Sequence, residues 1–386
     1  MPILYAQDPY ASILSEIEAN SIQLSALREH IEADKLGNRS GLSLSNPEIE
    51  FNYLWGSPSP IGNRTDLSLS QSFDFPTVYG HRIKMAKLQN HNLDWLYKAE
   101  RLQILLLAKE KLINLVYYNA LSDEYAQRLE QAKSLAQAYA QSFEQGETGI
   151  LDYNKAQMNL SLAQNAYAEV LRERQALLRE LAGLNGGKEL VFEACSYPAF
   201  ILPGSFEDWF GEAQTRIPQL QYLGNQIGIN QQDIKLQKSL ALPKFSAGYM
   251  SEKVVGEQFQ GIRLGVSIPL WESKNTVKQA RAQLKASQVA FEDAKMQYFI
   301  SLQNTYLKAL SLQESALSYK KALSDFGNAA LLQKALEAGA LSLPEYLLEL
   351  EYYYEALNKT MEAERDFSLC ISELLAVELQ DRNILY

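Results

Sequence analysis

The sequence predicts a mainly α-helical, duplicated fold with a small β part. Two long segments, His81–Gln145 and Trp271–Phe326, contain no glycine or proline, the residues that most often end helices. Each follows a pair of short segments in which apolar and polar residues alternate, as they do in β-strands. At ~1.5 Å per residue, the first long segment would form a helix on the order of 100 Å in length. We therefore expect a long-helix coiled-coil rod.

The two halves of the chain follow one order of elements. Residues 1–205 are predicted to contain a helix, a β-hairpin at about 47–75, a long helix at about 78–145, a returning helix at about 150–182 and a linker. Residues 206–386 are predicted to contain a helix, a hairpin at about 243–270, a long helix at about 272–336 and a returning helix at about 343–378. Agreement in both order and spacing indicates an internal duplication.

Each half opens with a helix of roughly 25 residues, which begins near Ile17 in the first half and near Ala213 in the second. The long helices that come later carry apolar residues at alternating spacings of three and four, or every seven residues, which is typical of a coiled-coil seam. The seam residues are Trp95, Ala99, Leu102, Leu106, Ile113, Val116 and Ala120 in the first helix and Val277, Leu284, Phe291 and Tyr298 in the second.

The candidate hairpins each have one apolar and one polar face. In the first, Ile49, Phe51 and Tyr53 share a face, and the opposite face carries carboxylates and serines. Segments of about ten residues that alternate in this way are typical of transmembrane β-barrel strands. The alternative is a soluble hairpin with one face on a core. The expected membrane-facing band consists of Phe51, Tyr53, Leu67, Leu69, Phe73, Phe245, Tyr249, Leu264, Val266 and Ile268.

Composition excludes several classes of protein. The net charge of −10 argues against nucleic acid as a partner, because phosphate binding needs a basic surface. The three histidines are scattered, and the sequence contains no phosphate-binding glycine loop and no nucleophile elbow. We therefore expect no enzyme activity, no catalytic residue, no cofactor and no metal site. Cys195 and Cys370 are interpreted as two buried free thiols rather than a disulfide.

The N-terminal residues Met1–Asp8 contain an apolar patch that ends in alanine but no basic region. They do not form a complete signal peptide. They are compatible with the end of one or with a plain cytosolic start.

The order of elements and the paired turns resemble those of the TolC-like outer-membrane efflux proteins. In each turn a glycine is followed six residues later by an acidic residue, Gly146 by Asp152 and Gly339 by Glu345. The resemblance covers nearly all of the chain. It implies a homotrimer in which each chain gives four strands to one transmembrane β-barrel in the outer membrane of a Gram-negative bacterium. The helices would then form an α-barrel that extends into the periplasm.

Within that family, Asn46–Glu50 and Gly80–Arg82 look like the heavy-metal-efflux branch. The chain departs from that branch by placing His81 where a lysine is typical. Some family members also carry an arginine two positions after the second turn glycine, and this chain has Leu341 there. A salt-bridged closure of that type is therefore not expected.

The resemblance implies a passive exit duct of a tripartite efflux pump, with a periplasmic adaptor protein and an inner-membrane pump of the RND or ABC type as partners. Asp152 and Glu345 are expected at the channel constriction, or else only as residues that favour helix starts. The expected adaptor-docking residues are Gly146, Thr148, Gly149, Ile150, Gly339, Leu341, Ser342, Leu343 and Pro344. Two alternatives remain open, the duct of a type I secretion system and a soluble periplasmic coiled-coil scaffold.

Overall fold

The computed structural model describes residues 9–326 and 329–379, and these ranges contain long helices and one small sheet. The helices are α1 (Ala11–Asn20), α2 (Ile22–Arg39), α3 (Pro76–Glu144), α4 (Ile150–Leu184), α5 (Phe206–Ala213), α6 (Pro218–Leu240), α7 (Thr276–Phe326), α8 (Ala329–Glu337) and α9 (Leu343–Leu374). The strands are β1 (Glu48–Leu54), β2 (Arg64–Phe73), β3 (Lys244–Val254) and β4 (Glu257–Ser267). Residues 1–8, on which the interpretation of the N-terminus depends, lie outside the described ranges.

The four strands form one antiparallel sheet in the order β1-β2-β3-β4. The two hairpins meet where β2 pairs with β3, so segments far apart in sequence build one surface. Strands β3 and β4 are joined by Val255 and Gly256, whose φ angles of 33° and 84° suit a two-residue hairpin turn. In the two described ranges, no helix has the length and apolar character needed to cross a bilayer.

The helix boundaries correct three details of the sequence prediction. The second long helix begins at Thr276 rather than near residue 272, because Asn275 has a φ of 70° and cannot continue a right-handed helix. This helix was expected to continue to residue 336. The structure describes two helices over that range, α7 and α8, and residues 327 and 328 between them lie outside the described residues. The opening helix of each half is two helices, and these meet at Ser21 in the first half.

The first of two compact units comprises the described residues of Met1–Ala26, Glu100–Ala213 and Tyr298–Tyr386. Its main core has Ile17, Leu112 and Leu181 fully buried. Arg101 clamps Glu18 with two hydrogen bonds, Nε to Oε1 at 2.5 Å and Nη2 to Oε2 at 2.7 Å. Bidentate pairs of this kind fix geometry as well as add stability.

The linker after α4 lies against the first unit. Asn119 of α3 donates hydrogen bonds to the carbonyls of Phe192 and Ala194, and it accepts one from Arg174 Nε at 2.6 Å. Cys370 is buried, as expected, but Cys195 of the linker is exposed, which corrects the prediction of two buried thiols. Its Sγ donates a 3.6 Å hydrogen bond to Asp123.

The second compact unit comprises Leu27–Ala99 and Gln214–Gln297 and contains the whole sheet. Helices α6 and α7 lie close together in this unit. A Cβ atom added to Gly224 of α6 would lie 3.6 Å from the ring of Phe291 of α7. Phe291 belongs to the predicted seam. On the same helix α7, a second apolar stripe stays exposed in the single chain, which the seam analysis did not predict. This stripe consists of Val289, Met296, Ile300 and Leu307.

Candidate functional site

The sheet has one face that is almost without charge. In an antiparallel pair, residues opposite each other point to the same side, so the register assigns every side chain to a face. Leu69 faces Ile49 of β1 and Tyr249 of β3, and Tyr249 faces Ile262 of β4. Lys253, near the β3–β4 turn, is the one charged residue of the four described strands on this side. We call this side the apolar face.

Most of the apolar face is uncovered in the single chain. Its exposed members include Ile49, Phe51, Leu67, Leu69, Phe245, Tyr249, Ile262, Leu264 and Val266. Phe73, also on this face, is half-buried. The structure thus brings together the members of the predicted band that lie in strands, whereas Ile268 follows the end of β4. Contiguous exposed apolar surfaces of this kind mark contacts with other molecules or with lipid.

The opposite side, which we call the polar face, carries five carboxylates and three basic residues. These residues are Glu48, Glu50, Asp66, Glu252, Glu257, Arg64, Lys244 and Arg263. Arg64 bridges two of the acids, with Nε 2.8 Å from Asp66 Oδ1 and Nη2 3.2 Å from Glu252 Oε2. Glu50 accepts a 3.1 Å hydrogen bond from Asn52.

The polar face also carries three large apolar residues that the alternation analysis did not single out. Leu54 is 50% exposed, Met250 43% and Phe259 61%. All three lie toward the end of the sheet where the hairpins turn. The register places Met250 and Phe259 on the neighbouring strands β3 and β4, and it places Leu54 on the opposite edge strand β1. Alternation within one strand could not show this arrangement.

Among the residues that the structure describes, no strand pairs with either outer edge of the sheet. Strand β1 pairs only with β2, and β4 pairs only with β3. Each edge therefore presents backbone N–H and C=O groups without strand partners, which favours pairing with a further strand. Because neighbouring strands alternate in direction, β4 runs antiparallel to β1, so β4 of one copy can pair with β1 of another.

The two helical tips, which connect α3 to α4 and α8 to α9, have the same backbone hydrogen bonds. At the first, Gly146 has a φ of 74° and Glu147 N–H bonds to Ser142 O at 2.8 Å. At the second, Gly339 has a φ of 70° and Ala340 N–H bonds to Ala335 O, also at 2.8 Å. This is a Schellman cap, whose left-handed position favours glycine. The two predicted turn glycines therefore occupy positions that require them.

Glu345 starts α9 in a capping box. Its Oε2 accepts hydrogen bonds from Ser342 Oγ at 2.7 Å and from Ser342 N at 2.9 Å. These bonds, first from the hydroxyl and then from the backbone, hold the pKa of the Glu345 carboxyl below its ordinary value. The exposed carboxylate is therefore ionised at neutral pH and serves the start of the helix.

Asp152 occupies the matching position in the first turn of α4 but has different partners. Gly149 precedes α4 where Ser342 precedes α9, so no hydroxyl is available to complete a capping box. Lys155 forms an ion pair with it, with Nζ 3.8 Å from Asp152 Oδ1. Asp152 is thus a partly exposed carboxylate with one weak ion pair.

The docking residues predicted at the tips divide into exposed and buried ones. Ser342, Pro344 and Gly149 are exposed, as are Gly146 and Gly339, whereas Thr148 and Leu341 are partly buried. Leu343, which is one of the residues predicted to dock an adaptor, is only 2% exposed, so its side chain is buried in the single chain. It packs with Ala156 of α4 in a core that the two returning helices share. Ile150, a predicted docking residue, is exposed. Its neighbour Leu151, which was not predicted, is also exposed.

A polar cluster joins α3 to α9 above the tips. The Arg128 guanidinium lies between the rings of Tyr125 and Tyr354, at 4.5 Å and 4.0 Å from their centroids. Its Nη2 donates a 2.9 Å hydrogen bond to Asn358 Oδ1, and its Nε donates one of 2.9 Å to Glu124 Oε1. Burial raises the pKa of Tyr354 to about 12, so its hydroxyl stays protonated at neutral pH.

Comparison with known proteins gives a likeness in fold. No protein-family model matches the sequence, and no curated protein matches it. Among solved structures, the chain is similar to the CmeC outer membrane channel of Campylobacter jejuni, with 16% identity, a TM-score of 0.75, and coverage of 96% of this chain and 85% of that chain. It is also similar to CusC, a protein that forms a transmembrane channel, with 12% identity and a TM-score of 0.80. That match covers 96% of this chain and 92% of the CusC chain.

A third similar structure is the open state of the MtrE outer membrane channel of Neisseria gonorrhoeae, with 14% identity, a TM-score of 0.70, and coverage of 95% and 88%. The matches cover 95–96% of this chain and 85–92% of the three channels. The chain therefore has the fold of the TolC-like outer-membrane channels.

Proposed function

We propose that this chain is one subunit of a passive exit duct in the outer membrane of a Gram-negative bacterium. The observation that carries the proposal is the sheet, which combines an uncovered apolar face, a charged polar face and two unpaired edges. A soluble scaffold would leave the apolar face in water. Lipid on the apolar face, water on the polar face and further copies at the edges satisfy all three surfaces.

Three copies, each contributing four strands, would close one barrel by pairing β4 of each copy with β1 of the next. The exposed stripe of α7 supports the same assembly, because its members recur at spacings of seven and four residues. Such a stripe is typical of a helix that packs against another helix. The additional helix would come from a neighbouring copy in an α-barrel.

The helical tips would dock a periplasmic adaptor, which links the duct to an inner-membrane pump of the RND or ABC type. The exposed Ile150 and Leu151 support a docking role, since large apolar side chains at a turn favour contact with a partner. Asp152 and Glu345 of three copies would place six carboxylates at the constriction. Rings of carboxylates favour cations in a pore. Leu343 belongs to the chain's own core and is left out of the docking surface.

The test is a matched pair of arginine substitutions on neighbouring residues of β2. Leu69→Arg places a cation on the apolar face, where it costs ~2–4 kcal/mol at the middle of a bilayer. Ser68→Arg places the same cation on the polar face, next to Glu50 in the register. We expect Leu69→Arg to abolish trimers in the outer-membrane fraction and Ser68→Arg to retain them. Equal effects of both substitutions, or extraction of the unmodified protein by salt as a monomer, would refute the proposal.

A further inference from the structure

Near the turns of the hairpins, the apolar face carries five residues whose side chains can donate hydrogen bonds. The donor patch, as we call them, consists of Thr65, Ser251, Lys253, Gln258 and Gln260. Lys253 lies directly opposite Thr65 of β2 and Gln258 of β4 in the register. Ser251 lies opposite Gln260 in the neighbouring row. Side chains paired in this way have Cβ atoms about 4.5–5.5 Å apart, so the donor patch is one continuous surface.

The hydrogen bonds within the donor patch occupy its acceptors and leave donors over. Gln258 Nε2 donates to Ser251 Oγ at 3.1 Å, so the Ser251 hydroxyl hydrogen remains to bond elsewhere. Tyr249 Oη donates to Gln260 Oε1 at 2.9 Å, so the amide hydrogens of Gln260 remain as well. The ammonium group of Lys253 has three donor hydrogens and no acceptor. No carboxylate of the four described strands shares its face.

An excess of donors around one positive charge suits an anion that has several oxygen acceptors. A phosphate group meets this requirement, because its oxygens accept charge-assisted hydrogen bonds from a lysine and further bonds from hydroxyl and amide groups. An acyl chain in the same place would leave these donors without partners, at a cost in free energy. The donor patch therefore suits a phosphate group and not a hydrocarbon.

The position of the donor patch on the sheet indicates where that phosphate comes from. On β3, Tyr249 and Lys253 are four residues apart, which is roughly 14 Å at ~3.4 Å per residue, so the donor patch borders the uncharged band. Tyr53 lies in the row of Lys253, and its ring contacts that of the 80% exposed Trp55, with centroids 5.5 Å apart. Tyrosine and tryptophan are enriched at the level of lipid headgroups. A phosphate at this level belongs to a lipid.

Resting on the proposed duct, we infer that the donor patch binds the phosphate group of an anionic membrane lipid, one per chain. Lys253 supplies the charge, and Thr65 and Gln258 on either side of it supply neutral donors. The acyl chains of the lipid would lie over Leu69 and Tyr249, in the apolar rows next to the donor patch. A lysine that only reached polar surroundings would bind every lipid equally, whereas this arrangement selects for charge.

The experiment counts the lipids that the full chain retains in native mass spectra, after purification in detergent and titration with dioleoylphosphatidylglycerol. Dioleoylphosphatidylcholine, which has the same acyl chains and a phosphodiester but no net charge, is the comparison lipid. We expect each chain to retain one phosphatidylglycerol in preference to phosphatidylcholine. Lys253→Gln should weaken phosphatidylglycerol binding by about fivefold, which is the contribution of one basic residue near an anionic membrane surface. Lys253→Arg should retain binding within about twofold.

Two further variants distinguish a built site from a lone lysine. Thr65→Val and Gln258→Met keep the size of the side chain but remove a donor, and each should weaken phosphatidylglycerol binding by about threefold or more. The matched charge control is Lys244→Gln, because Lys244 lies at the other end of β3 on the polar face and pairs with Glu272 at 3.3 Å. This variant should bind the lipid as the unmodified protein does. Equal weakening in Lys244→Gln, or full binding in both donor variants, would overturn the site.

The outcomes also separate this inference from the proposed function. Trimers that retain both lipids equally, or that bind phosphatidylglycerol equally with and without Lys253→Gln, would overturn the lipid site and leave the duct intact. Displacement of phosphatidylglycerol by an equal concentration of glycerol phosphate would overturn the assignment to a lipid. If the unmodified protein forms no trimers in the outer-membrane fraction, the proposed duct and this inference both fail.

Discussion

At the tips, two matching carboxylates differ in what they do for the chain. Glu345 accepts two hydrogen bonds from Ser342, whereas Asp152 pairs with Lys155 at 3.8 Å. Two substitutions of Glu345 distinguish its role in capping α9 from a role of its charge in the pore. Glu345→Gln keeps a side chain that can complete a capping box but removes the charge, and Glu345→Ala removes both. If the carboxylate acts in the pore, both variants should weaken cation preference in single-channel recordings to the same extent.

The cap itself should respond to pH in a defined direction. Because the pKa of Glu345 is held below its ordinary value, its contribution to α9 is complete at neutral pH and is lost as the pH falls through that lowered pKa. Amide exchange in the first turn of α9 should increase in Glu345→Ala and change little in Glu345→Gln. Asp152→Asn is the matched control at the other tip.

The pore-charge prediction has its own test. If ion selectivity is unchanged in both Asp152→Asn and Glu345→Gln, the two carboxylates act only at the starts of their helices.

Arg128 supplies a prediction about stability at the residue scale. Arg128→Lys keeps the charge but loses the planar group that lies between Tyr125 and Tyr354 and bonds to two side chains. We expect a loss of about 1–2 kcal/mol in the free energy of unfolding, measured by thermal denaturation in detergent. The exposed pair of Lys133 and Glu130 is the control, and Lys133→Ala should cost under about 0.5 kcal/mol. Similar losses at both sites would contradict the importance of the cluster.

At the scale of elements, the long helices must be continuous through their middle turns. Proline at Leu106 in α3 or at Phe291 in α7 removes a backbone hydrogen bond and clashes with the preceding turn, at a cost of ~3 kcal/mol or more. We expect both variants to lose the assembled trimer and channel conductance. Alanine at the same positions separates loss of the side chain from damage to the backbone, and it should retain assembly. Full activity of the proline variants would exclude continuous helices.

The hairpins, the long helices and the tips are predictable from sequence because their signals are local. Alternation places Phe51 and Leu69 on one face, and Gly146 and Gly339 mark the reversals. The late start of α7 depends on a positive φ at Asn275, which breaks the helix in a segment free of glycine and proline. The burial of Leu343 depends on Ala156 of α4. The contact of Leu343 with Ala156 joins distant parts of the chain, and the angle at Asn275 leaves no mark in the apolar pattern. Periodicity within one helix therefore predicts neither of them.

At the scale of the whole molecule, closure of the proposed barrel can be tested at the edge strands β1 and β4. In an isolated chain, half of the backbone N–H groups of β1 and β4 point away from the sheet and exchange rapidly. In the assembled duct, these amides should be protected as strongly as those of β2 and β3. Hydrogen exchange followed by mass spectrometry measures this, with Leu69→Arg as the unassembled reference. Rapid exchange along β1 and β4 in detergent-extracted trimers would rule out strand pairing between copies.

Lys253 has a consequence for the depth at which the sheet lies in a membrane. In the proposed duct, its ammonium group, the one charge on the apolar face of the described strands, would extend to the lipid headgroups. From Lys253 to Phe245, strand β3 rises roughly 27 Å at ~3.4 Å per residue, and strand tilt shortens that span along the bilayer normal. The uncharged band therefore fits a thin hydrocarbon layer. Bilayer thickness, and not apolarity alone, then decides which membrane holds this sheet without strain.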